Sequence, residues 1–379
     1  MKLLHVITGL ETGGAEVALC RLVETLRPPL HTHTVVSLLD GGALLARIAE
    51  SANVVQLGMR AGHIRMRDVV RLRRILRAEQ PDLVHSWMYH ANLMTAIAGI
   101  GLRTPRVWGI RHALHDMEAE KRSTRTVIRS GALLSRYAER IVYNSSVSAT
   151  QHERLGYRAE QTCVIPNGFD TAVFQPDESQ RLLVRSELGI EPDALAIGMI
   201  ARVHPMKDHA NFLTAAARFA QSHPNAVFVL AGDGTQEGKN PLHEQIERLG
   251  LQSRVRLCGR REDIAALNAA LDIATLSSKT EAFPNAIGEA MACGVPCVAT
   301  DVGDVREILA DTGIVVARND STALSDGWAA LAKLAVEERR QLGLRARQRI
   351  MEGYSLRFVA GEYANLYSAI TEGRRLCAA

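Results

Sequence analysis

The feature that most limits what this chain can fold into is an alternation. Short apolar runs at residues 2–8, 34–39, 53–57, 82–86, 106–110, 139–143 and 161–165 are separated by helix-patterned stretches, and the pattern resumes at 195–201 and again at 228–231, 255–258 and 271–277. Strands alternating with helices predict parallel sheets with helices on both faces. A chain of 379 residues is too long for one ordinary core and suits two domains of roughly 150 to 200 residues. The break falls where Asn167-Gly168 is followed by the polar, proline-containing stretch 175–180, which reads as a turn and a linker. The expected organisation is two doubly wound α/β domains, residues 1–172 and 173–355, with a cleft between them. Residues 356–379 are expected to form an amphipathic C-terminal helix packing across the junction.

In such sheets ligands sit at the carboxyl ends of the strands. The most informative of these ends is 277–301, SSKTEAFPNAIGEAMACGVPCVATD, where Glu281 and Glu289 are separated by seven residues. The preceding LDIATLSS reads as a buried strand, and Pro284, with fixed φ and no N–H, suits the first turn of a following helix. A helix N-terminus offers unpaired amides and a positive dipole end to a phosphate. Since Pro284 has no N–H, the donors are expected from Asn285, Ala286 and Ile287. A carboxylate on the loop, Glu281, then meets sugar hydroxyls, and one on the helix, Glu289, meets a ribose diol. The whole string resembles the signature of the retaining, nucleotide-sugar-dependent glycosyltransferases of family 4 (group 1), which have the GT-B fold of two Rossmann-like domains. It departs from the usual Glu-Gly-Phe-Gly form at Ala282 and Pro284.

Other stretches fit the same resemblance. Gly13-Gly14-Ala15-Glu16 opens the first helix and is similar to the family's start, which faces the donor; its glycines do not match the dinucleotide fingerprint. Trp108-Gly-Ile-Arg111-His112 is another strand end. The family has a histidine after the corresponding strand that contacts the transferring sugar, which implies His112, with His115 as the rival. Arg202 and Lys207 follow the strand at 195–201, where a cation pair can grip a pyrophosphate without a metal; the family uses these positions so. Gly232-Asp-Gly234 reads as a turn. Arg260 lies near the point where the family binds its base.

Charge is unevenly placed. Residues 1–170 carry 22 Lys and Arg against 15 Asp and Glu, a balance of +7, within a chain of net +4. Much of it lies in RMRDVVRLRRILRAEQ (65–80) and EKRSTRTVIRSGALLSRYAER (120–140), basic amphipathic stretches of the kind that bind anionic lipid. Tyr137 is the one aromatic residue among these arginines and no nucleic-acid motif occurs, so nucleic acid is not an expected partner. No apolar run approaches the roughly 18 residues needed to span a bilayer. MKLLHVITGLE reads as a strand rather than a signal peptide, and the scattered cysteines suit a reducing cytoplasm.

The resemblance implies a glycosyltransferase that moves a sugar, with retention, from a UDP- or GDP-sugar to a glycan or lipid-linked acceptor in bacterial polysaccharide or glycolipid synthesis. It would work in the cytoplasm or at the inner membrane face. Neither cofactor nor metal is expected, since the cations can stabilise the leaving diphosphate and the chain has no Asp-x-Asp motif. Two other classes compete: a non-catalytic nucleotide-sugar-binding protein, and an epimerase or phosphorylase of the same architecture.

Overall fold

The computed structural model describes residues 1–377 apart from 61, 63, 115, 116, 118–120, 237, 239 and 240, with side chains to residue 373. His115 therefore lies outside the described residues. The chain divides into two units, Met1–Gly168 joined by Leu356–Ala379, and Phe169–Ser355.

The first unit is built on seven strands, β1 (Lys2–Ile7), β2 (Thr32–Ser37), β3 (Asn53–Gln56), β4 (Leu83–Trp87), β5 (Arg106–Ile110), β6 (Arg140–Tyr143) and β7 (Thr162–Val164). All pair in parallel, in the order β3-β2-β1-β4-β5-β6-β7. Both faces are covered. Leu3 and Ile7 pack with Leu19 and Val23 of the helix Gly14–Thr25 and with Val359, Tyr363 and Tyr367 of the C-terminal helix Leu356–Cys377. Leu4 and Val6 face Val69, Leu72 and Leu76 of the helix Met66–Glu79.

Two sequence expectations shift here for physical reasons. β2 starts at Thr32 rather than 34, because polar residues belong to it: His33 is buried and bonded to His5 of β1, Nδ1 to Nε2 at 3.1 Å. The basic stretch 120–140 is a helix only over Arg122–Leu134, followed by a short turn Ser135–Tyr137 and then β6.

The second unit has six parallel strands, β8 (Leu195–Ile200), β9 (Ala226–Ala231), β10 (Val255–Leu257), β11 (Ile273–Leu276), β12 (Cys297–Thr300) and β13 (Gly313–Val316), in the order β10-β9-β8-β11-β12-β13. The chain winds one way from β8 to β9 and β10 and the other way from β11 onward. The switch point thus lies between β8 and β11, and a crevice opens at such a point because the two connections leave in opposite directions. The corresponding switch in the first unit lies between β1 and β4.

Candidate active site

In the second unit, the loops leaving β8 and β11 bring the expected residues together. Lys207 Nζ lies 2.5 Å from Glu281 Oε1, with the side chains 26% and 12% exposed. The same carboxylate oxygen accepts the hydroxyl of buried Ser278 at 2.7 Å. Ser278 is itself held, since Thr300 Oγ1 at the end of β12 donates to its carbonyl at 2.7 Å. Ser277 ties the loops at their base, its hydroxyl within 2.9 Å of Lys207 O and 3.0 Å of Asp208 O. Asp208 takes a left-handed φ of 54° and caps the helix His209–Ser222. Gly303 completes the support: at φ +53 a Cβ there would stand 2.8 Å from Glu281 O and 2.7 Å from Ala282 O, so only glycine lets this loop lie against the Glu281 loop.

Arg202 is placed by a neighbouring loop. Gly232 has φ +135, and a Cβ on it would meet the Arg202 amide nitrogen at 2.8 Å; Val203 N–H donates to Asp233 O at 2.7 Å. Gly232-Asp-Gly234 is thus a turn packed on residues 201–203. Arg202 and Arg260 are both exposed and make no ion pair among the described residues. The adjacent Arg261, by contrast, is tied to Glu187 and Asp263 as a structural clamp.

The helix after Pro284 runs over Asn285–Ala292, with Pro284 at the N-cap position rather than in the first turn, and Glu289 sits half-buried within it. Asn285 N–H donates to Phe283 O at 3.0 Å and Ile287 N–H to Pro284 O at 3.1 Å. Local turns therefore occupy two of the three amides that the sequence pointed to, and only the Ala286 N–H is outside these turn bonds. The guanidinium and ammonium groups, rather than the helix end, therefore offer most of the donors that an anion could use here.

In the first unit, Gly13 and Gly14 end the loop after β1, at that sheet's switch point, with Gly13 as N-cap. Glu16 folds back over this turn, so that a Cβ on Gly13 would collide with its carboxylate. Burial, with nearby Glu11, raises the Glu16 carboxyl above its usual range. Glu16, the last residue of the stretch that resembles the family's start, thus lies against the Gly13 turn.

His112 follows β5 and is half-buried. Its carbonyl accepts the Ser148 hydroxyl at 2.6 Å, and its Nδ1 lies 3.3 Å from Tyr89 Oη. Arg111 turns to the C-terminal helix instead: it donates to Tyr363 Oη at 2.9 Å and to Asn167 Oδ1, over the Trp87 ring.

Comparison with known proteins accounts for both units. The family described as "Glycosyltransferase Family 4" matches residues 12–173, and "Glycosyl transferases group 1" matches residues 181–349. The chain belongs to the family 4, group 1 glycosyltransferases. One relative of this chain is the UDP-Gal:alpha-D-GlcNAc-diphosphoundecaprenol alpha-1,3-galactosyltransferase of Escherichia coli, 27% identical over 62% of this chain. Another is the lipopolysaccharide core biosynthesis mannosyltransferase LpsB of Rhizobium meliloti, 30% identical over 49% of it. The chain spans 62% and 54% of those relatives' own length. Among solved structures, HepE of Anabaena in complex with UDP is 27% identical and superposes with a TM-score of 0.85 over 97% of this chain and 100% of its own. The fold is GT-B. Among the described residues, no helix of the chain is long and apolar enough to cross a membrane.

Sequence reasoning missed Ser278, Gly303 and Tyr89. Gly303 acts through its contact with the Glu281 loop, distant in sequence, and Ser278, three residues before Glu281, is held in place by Thr300, 22 residues further on. Tyr89 carries no motif at all.

Proposed function

We propose that this glycosyltransferase moves a sugar from a UDP-sugar to a glycan or lipid-linked hydroxyl with retention at the anomeric carbon. The observation that carries the reading is the Lys207–Glu281–Ser278 cluster at the β8/β11 switch point, with exposed Arg202 on the same loop as Lys207. Departure of a diphosphate from an anomeric carbon concentrates negative charge on the leaving group. Fixed cations placed where that charge develops lower the barrier. In this reading Arg202 and Lys207 face the diphosphate, Glu281 orients the sugar, Glu289 accepts from the ribose and Arg260 lies towards the base. Lys207 has a double duty, because its ammonium also holds Glu281 in place. No divalent ion is needed for this charge stabilisation.

Uridine is favoured over guanosine by the relatives: HepE was solved with UDP and with UDP-glucose, and the E. coli relative is named for UDP-galactose. Retention follows from the family resemblance. A lipid-linked acceptor is supported by the undecaprenol in the name of the E. coli relative and by the basic first unit. The test is a thermal-shift screen of UDP- and GDP-sugars. A donor at a hundred times its dissociation constant adds about 2.7 kcal/mol of stability. The stabilising donor is then incubated without and with candidate acceptors and the products are resolved by NMR. Stabilisation with no turnover would indicate a binding protein, and an isomerised or phosphorolysed sugar would indicate the competing enzyme classes. Stabilisation by GDP-sugars alone would overturn the choice of base.

A further inference from the structure

The loop that carries Arg202 and Lys207 also carries a charge that works against an anion. Asp208 directly follows Lys207, and its side chain is only 9% exposed. The backbone explains why a short polar residue stands here. With φ 54 and ψ 53 the position is left-handed, a conformation that aspartate and asparagine tolerate better than most residues. One carboxylate oxygen also accepts the Asn211 N–H at 3.3 Å and so caps the helix His209–Ser222. Asparagine would meet both demands without a charge. The aspartate instead places a negative charge one residue from the ammonium assigned to a diphosphate, and a charge so nearly buried is weakly screened. His209, the next residue, does not offset it, because burial lowers its pKa and leaves the ring neutral near pH 7.

The offset comes from the other loop. Lys279, two residues before Glu281, is fixed by its backbone, its N–H donating to Met206 O at 2.8 Å. Its ammonium lies 3.5 Å from Asp208 Oδ2. Lys207 reaches the opposite way, to Glu281 Oε1 at 2.5 Å. Each loop thus lends a lysine to the other's carboxylate, and the four charges cancel. We propose that Lys279 is a positioning residue of the donor site, which holds and neutralises the Asp208 carboxylate so that the positive charge of Arg202 and Lys207 stays available to a diphosphate. The diphosphate rests on the roles proposed above for Arg202 and Lys207; the crossed ion pairs do not. Because the Lys279 side chain is 48% exposed, its pair with Asp208 adds little to folding stability. Its effect is on the field at the site. Without Lys279 the two loops gain a net negative charge, and without the Asp208 charge they gain a net positive one.

The experiment is calorimetric titration of UDP into the full-length protein and three variants at low salt. Lys279→Met weakens UDP binding roughly tenfold, the scale of one uncompensated unit charge close to a partly screened site. Asp208→Asn keeps the left-handed backbone and the cap, and tightens binding several-fold. The double variant Lys279→Met/Asp208→Asn returns to within about twofold of wild type, because the two groups are coupled. Loss of a tether between the loops would not be rescued in this way. A double variant as weak as Lys279→Met overturns the compensation and makes Lys279 a direct phosphate ligand or a tether. Unchanged affinity in Lys279→Met, or an Asp208→Asn that binds UDP no more tightly than wild type, overturns it as well. Should Lys279→Met not fold, the direction of the change in Asp208→Asn decides alone. Wild-type protein that binds neither UDP nor GDP fails one step earlier: it overturns the diphosphate reading of the site, and the role of Lys279 falls with it.

Discussion

Replacing Lys207 by methionine separates two effects that the Lys207–Glu281 contact combines. Methionine keeps most of the volume and removes the ammonium from beside Glu281, which is 12% exposed and keeps the Ser278 hydroxyl among its partners. Breaking a fully buried ion pair from one side costs about 3 to 5 kcal/mol, and an exposed pair is worth about 1 kcal/mol or less. With Lys207 itself 26% exposed, the cost should lie between, at about 2 kcal/mol, or a fall of about 5 °C in the melting of a domain of this size. The double variant Lys207→Met/Glu281→Gln strands no carboxylate, since a glutamine oxygen still accepts from Ser278. It should recover most of the lost stability. Turnover should recover nothing. Loss of one preorganised donor to a developing charge lowers the rate about a hundredfold or more, and the double variant lacks both groups. Differential scanning calorimetry of the four proteins, with turnover of the stabilising UDP-sugar, makes the comparison. A double variant no more stable than Lys207→Met would refute the buried-pair reasoning, and near-normal turnover in Lys207→Met would refute the assignment of the ammonium to the diphosphate.

Glu289→Gln should weaken UDP-sugar binding with little change in kcat, because a ribose contact is present in ground and transition states alike; calorimetric titration showing unchanged affinity would exclude the ribose role. Turnover should survive EDTA, since the proposed charge stabilisation comes from Arg202 and Lys207; abolition by chelator with rescue by Mg²⁺ would point to a metal clamp. His152 has a folded-state pKa depressed from 6.5 to about 4, so the unfolded chain binds a proton that the folded one refuses. Its contribution is therefore complete above about pH 6.5 and declines as pH falls towards 4, by about 3 kcal/mol in all; buried His5 and His85 act in the same direction. His152→Gln should flatten this slope in urea titrations, and an unchanged slope would place the pH dependence elsewhere. Arg122→Glu with Arg129→Glu should weaken salt-sensitive binding to anionic vesicles, each basic residue near such a surface contributing roughly 1 kcal/mol. Leu133, 77% exposed on the same helix, would join the contact, and wild-type protein that stays in the supernatant at low salt would show a merely solvated face.

The arginines of the first unit mark where composition stops being informative. From the sequence those of residues 65–80 are alike, yet in the folded unit Arg71 donates to Leu57 O at 2.9 Å and Arg73 to Ala98 O at 2.7 Å, closing off backbone carbonyls. Charge counted along a chain cannot tell a guanidinium that faces solvent from one that caps a loop, because the carbonyl it caps comes from a distant stretch. The strand β2 shows the same limit in the core, where His33 reads as polar and surface-bound until His5 of the neighbouring strand supplies its partner.

The sequence by itself determined the alternation of strands and helices, the break near Asn167-Gly168, and the family-bearing residues Arg202, Lys207, Glu281 and Glu289. These are legible because strand burial, turn chemistry and a motif on one loop are local in the chain. Only the tertiary structure decided that β8 and β11 are neighbours, and so that Lys207 and Glu281, 74 residues apart, share a hydrogen bond. It alone showed that Gly303 and Thr300 support the Glu281 loop, that two of the three expected amides are closed in local turns, and that Tyr89 links His112 to His152. A hydrogen bond constrains distance and direction between two groups without constraining their separation along the chain. Partners brought together by strand order therefore leave no periodicity or spacing to be read.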